Sequence, residues 1–163
     1  MQLEKITNND IEQICKFYDK NYEFLSCHDN VPKYKDPNFS FNLFDSISKK
    51  KLISYALKNN NEIVGMYFIE EINRFFYDCC SLSYSIDKDY ASKGITTVTI
   101  KDNLSRFLND ANVSKIKCTV SKNNISSIKV LNKLNFNFFG PIPQYFRINN
   151  VMEDCYIAYS NTN

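Results

Sequence analysis

The chain has 163 residues, 44% of them hydrophobic and 23% charged, and its 20 basic and 18 acidic side chains leave a formal charge of +2. That size suits one domain, 1–163, with a single core, and the composition excludes a disordered chain. With 17 Lys and 3 Arg scattered along its length, the chain lacks the clustered basic charge of a nucleic-acid footprint.

Residues 1–6 read as a short strand. Thr7, Asn8, Asn9 and Asp10 form a cluster of N-cap residues ahead of Ile11, Ile14, Cys15 and Tyr18 at helical spacing. Residues 21–38, with Pro32 and Pro37, read as a loop, and Phe41, Phe44 and Ile47 suggest a second short helix. Residues 52–57 read as a strand and Asn59-Asn60-Asn61 as a hairpin turn. Residues 62–70 are apolar in both alternating sets (Ile63, Tyr67, Ile69 and Val64, Met66, Phe68), the pattern of a central strand covered on both faces. Residues 77–86 make the next strand. After Gly94, the positions Leu104, Phe107, Leu108 and Ala111 follow the helical rule. Ile116, Cys118 and Val120 alternate as a strand, and Ile125, Ile128, Leu131 and Leu134 form a helical stripe. A strand at 137–139 is expected to stop at Gly140-Pro141-Ile142-Pro143, and 155–159 is a final strand. The order β-α-α-β-β-β-α-β-α-β-β predicts an α/β (α+β) fold, a mixed and mostly antiparallel sheet with helices on both faces.

The six cysteines (Cys15, Cys27, Cys79, Cys80, Cys118, Cys155) include no C-x-x-C pair, and His28 is the sole imidazole, so no metal site is expected. The opening Met-Gln-Leu-Glu-Lys is not a signal peptide, and no apolar run approaches a membrane span. The expected setting is cytoplasmic and reducing, with neither nucleic acid nor membrane as a partner.

Two stretches about 30 residues apart carry the chemistry. In the first, Leu82, Tyr84 and Ile86 alternate into Ala91-Ser92-Lys93-Gly94, and Ile95, Thr96 and Thr97 then open a helix. A strand that turns into a helix in this way aims bare N–H groups at whatever sits above the turn, and the helix dipole adds partial positive charge. Ser92, Thr96 and Thr97 add hydroxyls. The pattern is neither a P-loop nor a dinucleotide fingerprint. In the second stretch, Asn124 stands at a helix N-cap with Ser127 at the third helical position. Lys122, Lys129 and Lys133 lie nearby, with a solvated face as their plainer reading.

Taken together, these stretches resemble the GNAT superfamily of acetyl-CoA-dependent N-acetyltransferases. The nearest likeness is to the branch of RimL-type ribosomal-protein N-terminal acetyltransferases and their small-molecule-acetylating relatives. The branch carries Tyr-Trp-Ile, an acidic stretch and Trp-Gly-Lys-Gly-Tyr-Ala-Thr; here Tyr84-Ser85-Ile86 runs in register into Asp87, Asp89 and Ser92-Lys93-Gly94-Ile95-Thr96-Thr97. Its Asn-x-x-Ser, Val-Leu, Lys and Leu-Gly-Phe correspond to Asn124, Ser127, Val130-Leu131, Lys133 and Leu134-Asn135-Phe136. There are departures. Ala91 and Thr96 replace the first and last signature residues of the loop, and Ser92 replaces a glycine. Thr96 is bulkier than Gly or Ala, which predicts a looser hold on a diphosphate. Asn135 replaces the glycine before Phe136 and tolerates the left-handed angle required there. Leu131 stands where many members have a tyrosine general acid.

The resemblance implies acetyl-CoA as co-substrate and, as acceptor, a primary amine of a peptide N-terminus or small molecule; it allows a homodimer. The backbone near Ile86 would pair with the pantetheine arm. Amides of Lys93, Gly94, Ile95, Thr96 and Thr97 would cradle the diphosphate beside Ser92. Asn124 would bond the arm, and Lys129 or Lys133 a CoA phosphate. A lysine-like amine has a pKa of about 10 and must shed a proton before it attacks. Glu70 or Glu71, at the end of the central strand, is the candidate to take it, against the plainer reading of a solvated strand end. A backbone N–H after Tyr84 would hold the oxyanion. Tyr84 or Ser127 would protonate the thiolate, whose thiol pKa near 8.5 asks little of an acid. The altered loop and missing tyrosine leave an alternative: an acyl-CoA-binding module with weak or no catalysis. The acceptor pocket is expected from residues 21–44 and 140–152.

Overall fold

The computed structural model describes residues 1–28 and 52–161; the helix expected around Phe41 and Phe44 lies outside them. In chain order the elements are β1 (Gln2–Lys5), α1 (Ile11–Ser26), β2 (Ile53–Asn59), β3 (Glu62–Asn73), β4 (Cys79–Ile86), α2 (Ile95–Ala111), β5 (Lys115–Ser121), α3 (Ile125–Lys133), β6 (Asn137–Ile148) and β7 (Val151–Tyr159). One-turn 3-10 segments, Asn8–Asp10 and Lys88–Tyr90, precede α1 and α2. The strands form one sheet in the order β1-β2-β3-β4-β5-β7-β6. Every pair is antiparallel except β4 with β5, the pair joined through α2.

Both faces of the central strands are covered, as the doubly apolar pattern of β3 requires. On one face α1 packs Ile14, Phe17 and Tyr18 onto Ala56, Ile63 and Met66. On the other, α2 and α3 bring Ile100, Phe107 and Leu131 onto Tyr55, Tyr67, Ile69 and Leu82. α1 starts from a cap in which Thr7 N–H (2.8 Å) and Oγ1 (2.9 Å) both donate to Asp10 Oδ2, the carboxylate that also holds Lys58 on its other oxygen (2.7 Å). α2 ends in left-handed Asn112 (φ +53°), and Asn135 past α3 is left-handed too (φ +57°), as expected where a glycine is usual.

Several boundaries differ from the sequence reading: β3 runs on to Asn73, β4 starts at Cys79 and β7 at Val151, and two larger differences have clear physical causes. α1 does not give way to loop at Asn21 but runs to Ser26. Asn21 is fully buried, and its polar groups are satisfied across the fold, so tertiary contacts override a poor helix former. β6 does not stop at Gly140 but continues to Ile148. It is the edge strand, where a proline's missing N–H costs no ladder bond, and its register slips around Pro141 and Pro143.

Candidate active site

Parallel strands β4 and β5 share three rungs: Cys79 with Lys115, Cys80 with Ile116 and Ser81 with Lys117. Past them β4 stays with β3 out to Ile86 and β5 with β7 out to Ser121, so the two part and leave a wedge in the sheet. Asp87 N–H donates to Val64 O (2.8 Å), which sets the alternation of the ladder. Ser83 and Ser85 address β3; Leu82 N–H closes the last rung with Lys117, and Leu82 C=O with the N–H and C=O of Tyr84 and Ile86 turn into the wedge. An amide-bearing arm would satisfy them as an added strand does.

The wide end leads to the turn before α2. Ser92 and Gly94 both take left-handed angles (φ +60° and +77°). A Cβ on Gly94 would meet nothing within 4 Å, so the ground above the turn is open. Val98 N–H makes the first α2 bond, to Gly94 O (3.1 Å), and no side chain caps the helix. The N–H groups of Ile95, Thr96 and Thr97 are left without helical partners, as an anion site needs. Thr96 does not crowd that space; it is buried beside the Tyr67 hydroxyl. Lys93 is exposed, its ammonium 5.5 Å from the Tyr90 ring centroid.

α1 braces this turn. Buried Asp87 accepts from Lys20 Nζ (2.8 Å), Asn21 Nδ2 (3.2 Å) and Asp89 N–H (2.8 Å), while Lys88 N–H donates to Asn21 Oδ1 (2.9 Å). Burial alone would raise the Asp87 carboxyl; the hydrogen bonds from Lys20, Asp89 and Asn21 outweigh it and hold it below the usual range. No sequence pattern marks Asn21 for this role.

Three residues beyond β5, Asn124 Oδ1 accepts from Ser127 N–H (3.0 Å), which leaves its Nδ2 amide to donate. Lys129 is exposed on α3. Lys133 lies in the last turn, about 13 Å along the helix from the cap at 1.5 Å per residue, so it is not gathered with Asn124.

The catalytic candidates fall on two faces. Met66 packs toward α1, so alternation and register put Glu70, Ser81, Ser83 and Ser85 on that face. Glu70 is exposed opposite Ser81, at the last rung before the wedge, and its Oε1 accepts from Ser83 Oγ at 3.5 Å. Glu71 is instead engaged by Ser81 and Lys117. Tyr84 packs against the α2–α3 core, its hydroxyl buried and without a hydrogen bond. Burial pushes that hydroxyl far above the phenol range; the nearby Cys118 thiol adds to the shift and the nearby Ser127 hydroxyl partly offsets it. Tyr84 and Ser127 thus come together, with Glu70 across the sheet from them. Leu131 is core, 1% exposed. Sequence reasoning gave no place here to Asn21, which reads as loop, or to Lys117, which reads as a solvated strand position and is engaged by Glu71.

A pantetheine-bearing nucleotide fits these residues: the rungs stop, the turn is open, and a buried hydroxyl lacks a partner at the wedge. The site is a slot, not a closed cavity. Cavities of about 310 and 350 Å³, at Leu108, Asn112 and Val113 and at Lys5, Ser54 and Arg74, include none of these residues.

A sheet split between two parallel strands, with an uncapped helix at the open end, has the shape to accept a phosphorylated ligand with an extended arm. The acetyltransferase (GNAT) domain family matches residues 1–137. The chain belongs to that family, and is an acetyl-CoA-dependent N-acetyltransferase. Solved structures share the fold. A ribosomal-protein alanine acetyltransferase from Vibrio fischeri is 21% identical over 99% of this chain and 93% of its own, with a TM-score of 0.87. RimL, a ribosomal-protein α-N-acetyltransferase in complex with coenzyme A, is 14% identical over 96% and 91%, with a TM-score of 0.84. Spermidine N-acetyltransferase from Vibrio cholerae, in complex with CoA and spermine, is 18% identical over 99% and 95%, with a TM-score of 0.82. At these identities the likeness is one of fold. No curated protein matches the chain. No helix among the described residues is long and apolar enough to cross a membrane.

Proposed function

We propose that residues 1–163 act as one domain that acetylates a primary amine by direct attack through the wedge, with peptide α-amines favoured over small-molecule amines. The observation that carries this reading is the placement of Glu70 on one face of the split sheet and of Tyr84 with Ser127 on the other. Bound acetyl-CoA supplies a thioester carbonyl to the wedge. The amides of Ile95, Thr96 and Thr97, with Ser92 and Lys93 beside them, hold its diphosphate. Ile86 backbone and Asn124 Nδ2 hold its arm, and Lys129 is the nearer of the two lysines for a phosphate. Glu70, on the α1 face, takes the proton from the incoming ammonium through water. A backbone N–H of β4 past Tyr84 steadies the developing negative charge on oxygen. Tyr84, kept protonated by burial, and Ser127 offer hydrogen bonds to the departing sulfur. An α-amine of pKa about 8 is already partly unprotonated near neutral pH and asks less of a base than an alkylamine of about 10.

The six cysteines are free thiols, which supports a reducing, cytoplasmic setting. Exposed Phe139, Tyr145, Phe146, Val151 and Met152 on β6 and β7 favour a homodimer along that edge, to be checked by light scattering. The test of function is thiol release from acetyl-CoA over a panel of peptides, alkylamines and polyamines. Release with peptides, cut by about a hundredfold or more in Glu70→Gln with CoA affinity retained, is expected. CoA binding with no release for any amine would establish the alternative, an acyl-CoA-binding module, for which Leu131 in place of the tyrosine is the supporting observation.

A further inference from the structure

At the narrow end of the wedge an ionic bridge spans three strands. Glu71 lies where the β3–β4 register slips between Glu70 and Asn73, and it takes a left-handed backbone angle (φ +49°). Ten non-glycine residues among those described have positive φ; seven are Asn or Asp, which tolerate it, and Glu71 is among the other three. From there the Glu71 carboxylate reaches across β4. Its Oε2 accepts from Ser81 Oγ at 2.6 Å and from Lys117 Nζ at 2.8 Å. Ser81 and Lys117 are the partners of the last β4–β5 rung. The Glu71 side chain is 66% exposed and that of Lys117 22%, and exposed pairs add little to stability. A left-handed glutamate is itself strained. Stability gives no account of the arrangement, whereas its position at the start of the wedge does.

We propose that the Glu71–Ser81–Lys117 bridge is a positioning device for acetyl transfer: it clamps the last rung, and so fixes how deep a thioester enters and how Glu70, the preceding residue, faces it. The inference rests on the acetyltransferase reading above. Burial would lower the Lys117 ammonium, but the Glu71 hydrogen bond outweighs it and keeps the ammonium protonated. Lys117 and then Ser81 hold the Glu71 carboxyl below its usual range, so the bridge is intact at neutral pH. Ile86 and the diphosphate turn lie at the other end of β4, about 17 Å from Ser81 at 3.3–3.4 Å per residue. A loosened rung therefore moves the reacting centre and leaves the nucleotide anchored.

The test compares Lys117→Met and Lys117→Arg in the full chain. Lys117→Met should lower kcat about tenfold or more, because small misplacements of reacting groups are costly. The KM for acetyl-CoA and the CoA Kd should stay within about twofold, and Lys117→Arg should restore most of kcat. Amide hydrogen exchange at Leu82 and at position 117, the two N–H groups of the last rung, reads it without turnover: faster in Lys117→Met and near wild type in Lys117→Arg. Wild-type kcat and exchange in Lys117→Met would overturn the proposal. So would a joint loss of kcat, CoA affinity and melting temperature, which marks general damage. If the wild type binds CoA but turns over no amine, the acetyltransferase reading falls, and the exchange comparison alone decides the bridge.

Discussion

Two glycines with positive φ make opposite predictions, and the contrast tests the diphosphate site directly. Gly94 (φ +77°) has no atom within 4 Å of where a Cβ would stand. The Cβ of Gly94→Trp therefore meets no clash, and the backbone cost is the left-handed strain of an L-residue, about 1–2 kcal/mol. For a chain of this size that lowers the melting temperature by roughly 2–8 °C. The indole instead fills the ground over the Ile95–Thr97 amides. Losing two charge-assisted hydrogen bonds, at about 1.5–3 kcal/mol each, weakens CoA binding at least a hundredfold. Gly140 (φ +113°) is the reverse case: a Cβ there would lie 2.8 Å from Ile142 N and 3.0 Å from Cys155 O, both backbone atoms that cannot swing aside. Gly140→Ala should cost about 3 kcal/mol through strain and overpacking, with CoA affinity unchanged. Calorimetric titration with CoA and thermal unfolding on the two variants separate these effects. A Gly94→Trp protein that binds CoA like wild type would refute the placement of the diphosphate at this turn.

Asn124→Ala removes an N-cap worth about 1 kcal/mol as well as the Nδ2 donor, while Asn124→Ser keeps a cap and loses the donor. Both should weaken CoA binding about tenfold, and only the alanine should lower the melting temperature appreciably; equal CoA affinity in all three proteins would remove Asn124 from the site. Asp87→Ala unties α1 from the turn before α2 and should cost about 2–4 kcal/mol, since it strips a buried, hydrogen-bonded carboxylate, with Lys20 contributing less because it is half exposed. The Asp87 carboxyl is held below its ordinary value, so its contribution is fully present above about pH 4, the unfolded value, and is lost as pH falls through the depressed folded one. Acid unfolding of wild type should therefore be steeper below pH 4 than that of Asp87→Ala; parallel curves would count against this linkage.

The sheet and the helix starts were legible because their signals are local. The doubly apolar run Ile63 to Ile69, the Asn124 cap and the Gly94 turn each act within a few residues. Elements whose cause is long-range were not. Asn21 reads as the start of a loop until Asp87, 66 positions away, is seen to accept from its amide. β6 reads as stopped by Pro141 and Pro143 until its place at the sheet edge is known. Within the site, the residue types were readable but the face was not. Glu70 and Tyr84 look alike as strand residues, and only the β3–β4 register puts them on opposite sides of the split. Thr96 looked like an obstruction because spacing alone does not reveal that its side chain turns inward. Lys117 carries no motif, since the Glu71 that engages it depends on a left-handed bulge.

Tyr84 supplies the sharpest separation of fold from chemistry. Its hydroxyl is buried and makes no hydrogen bond, although Ser127 is near. A buried polar group without a partner costs about 1–3 kcal/mol, so deleting only that oxygen should relieve the protein. Tyr84→Phe keeps the ring that lies 6.4 Å from the Tyr67 ring and packs against the α2–α3 core. Its melting temperature should equal or exceed that of wild type by a few degrees. If the hydroxyl is kept for the departing sulfur, the same variant should turn over about tenfold more slowly. The slowing should ease when an acyl donor with a more acidic thiol, which leaves without help, replaces acetyl-CoA. Tyr67→Phe, whose orphaned hydroxyl sits by Thr96 and Thr99, is the control: the same gain in stability with no dependence of rate on the leaving thiol. A Tyr84→Phe protein that melts well below wild type would mean the hydroxyl is a structural member after all, and a rate insensitive to both the substitution and the thiol would take Tyr84 out of the reaction.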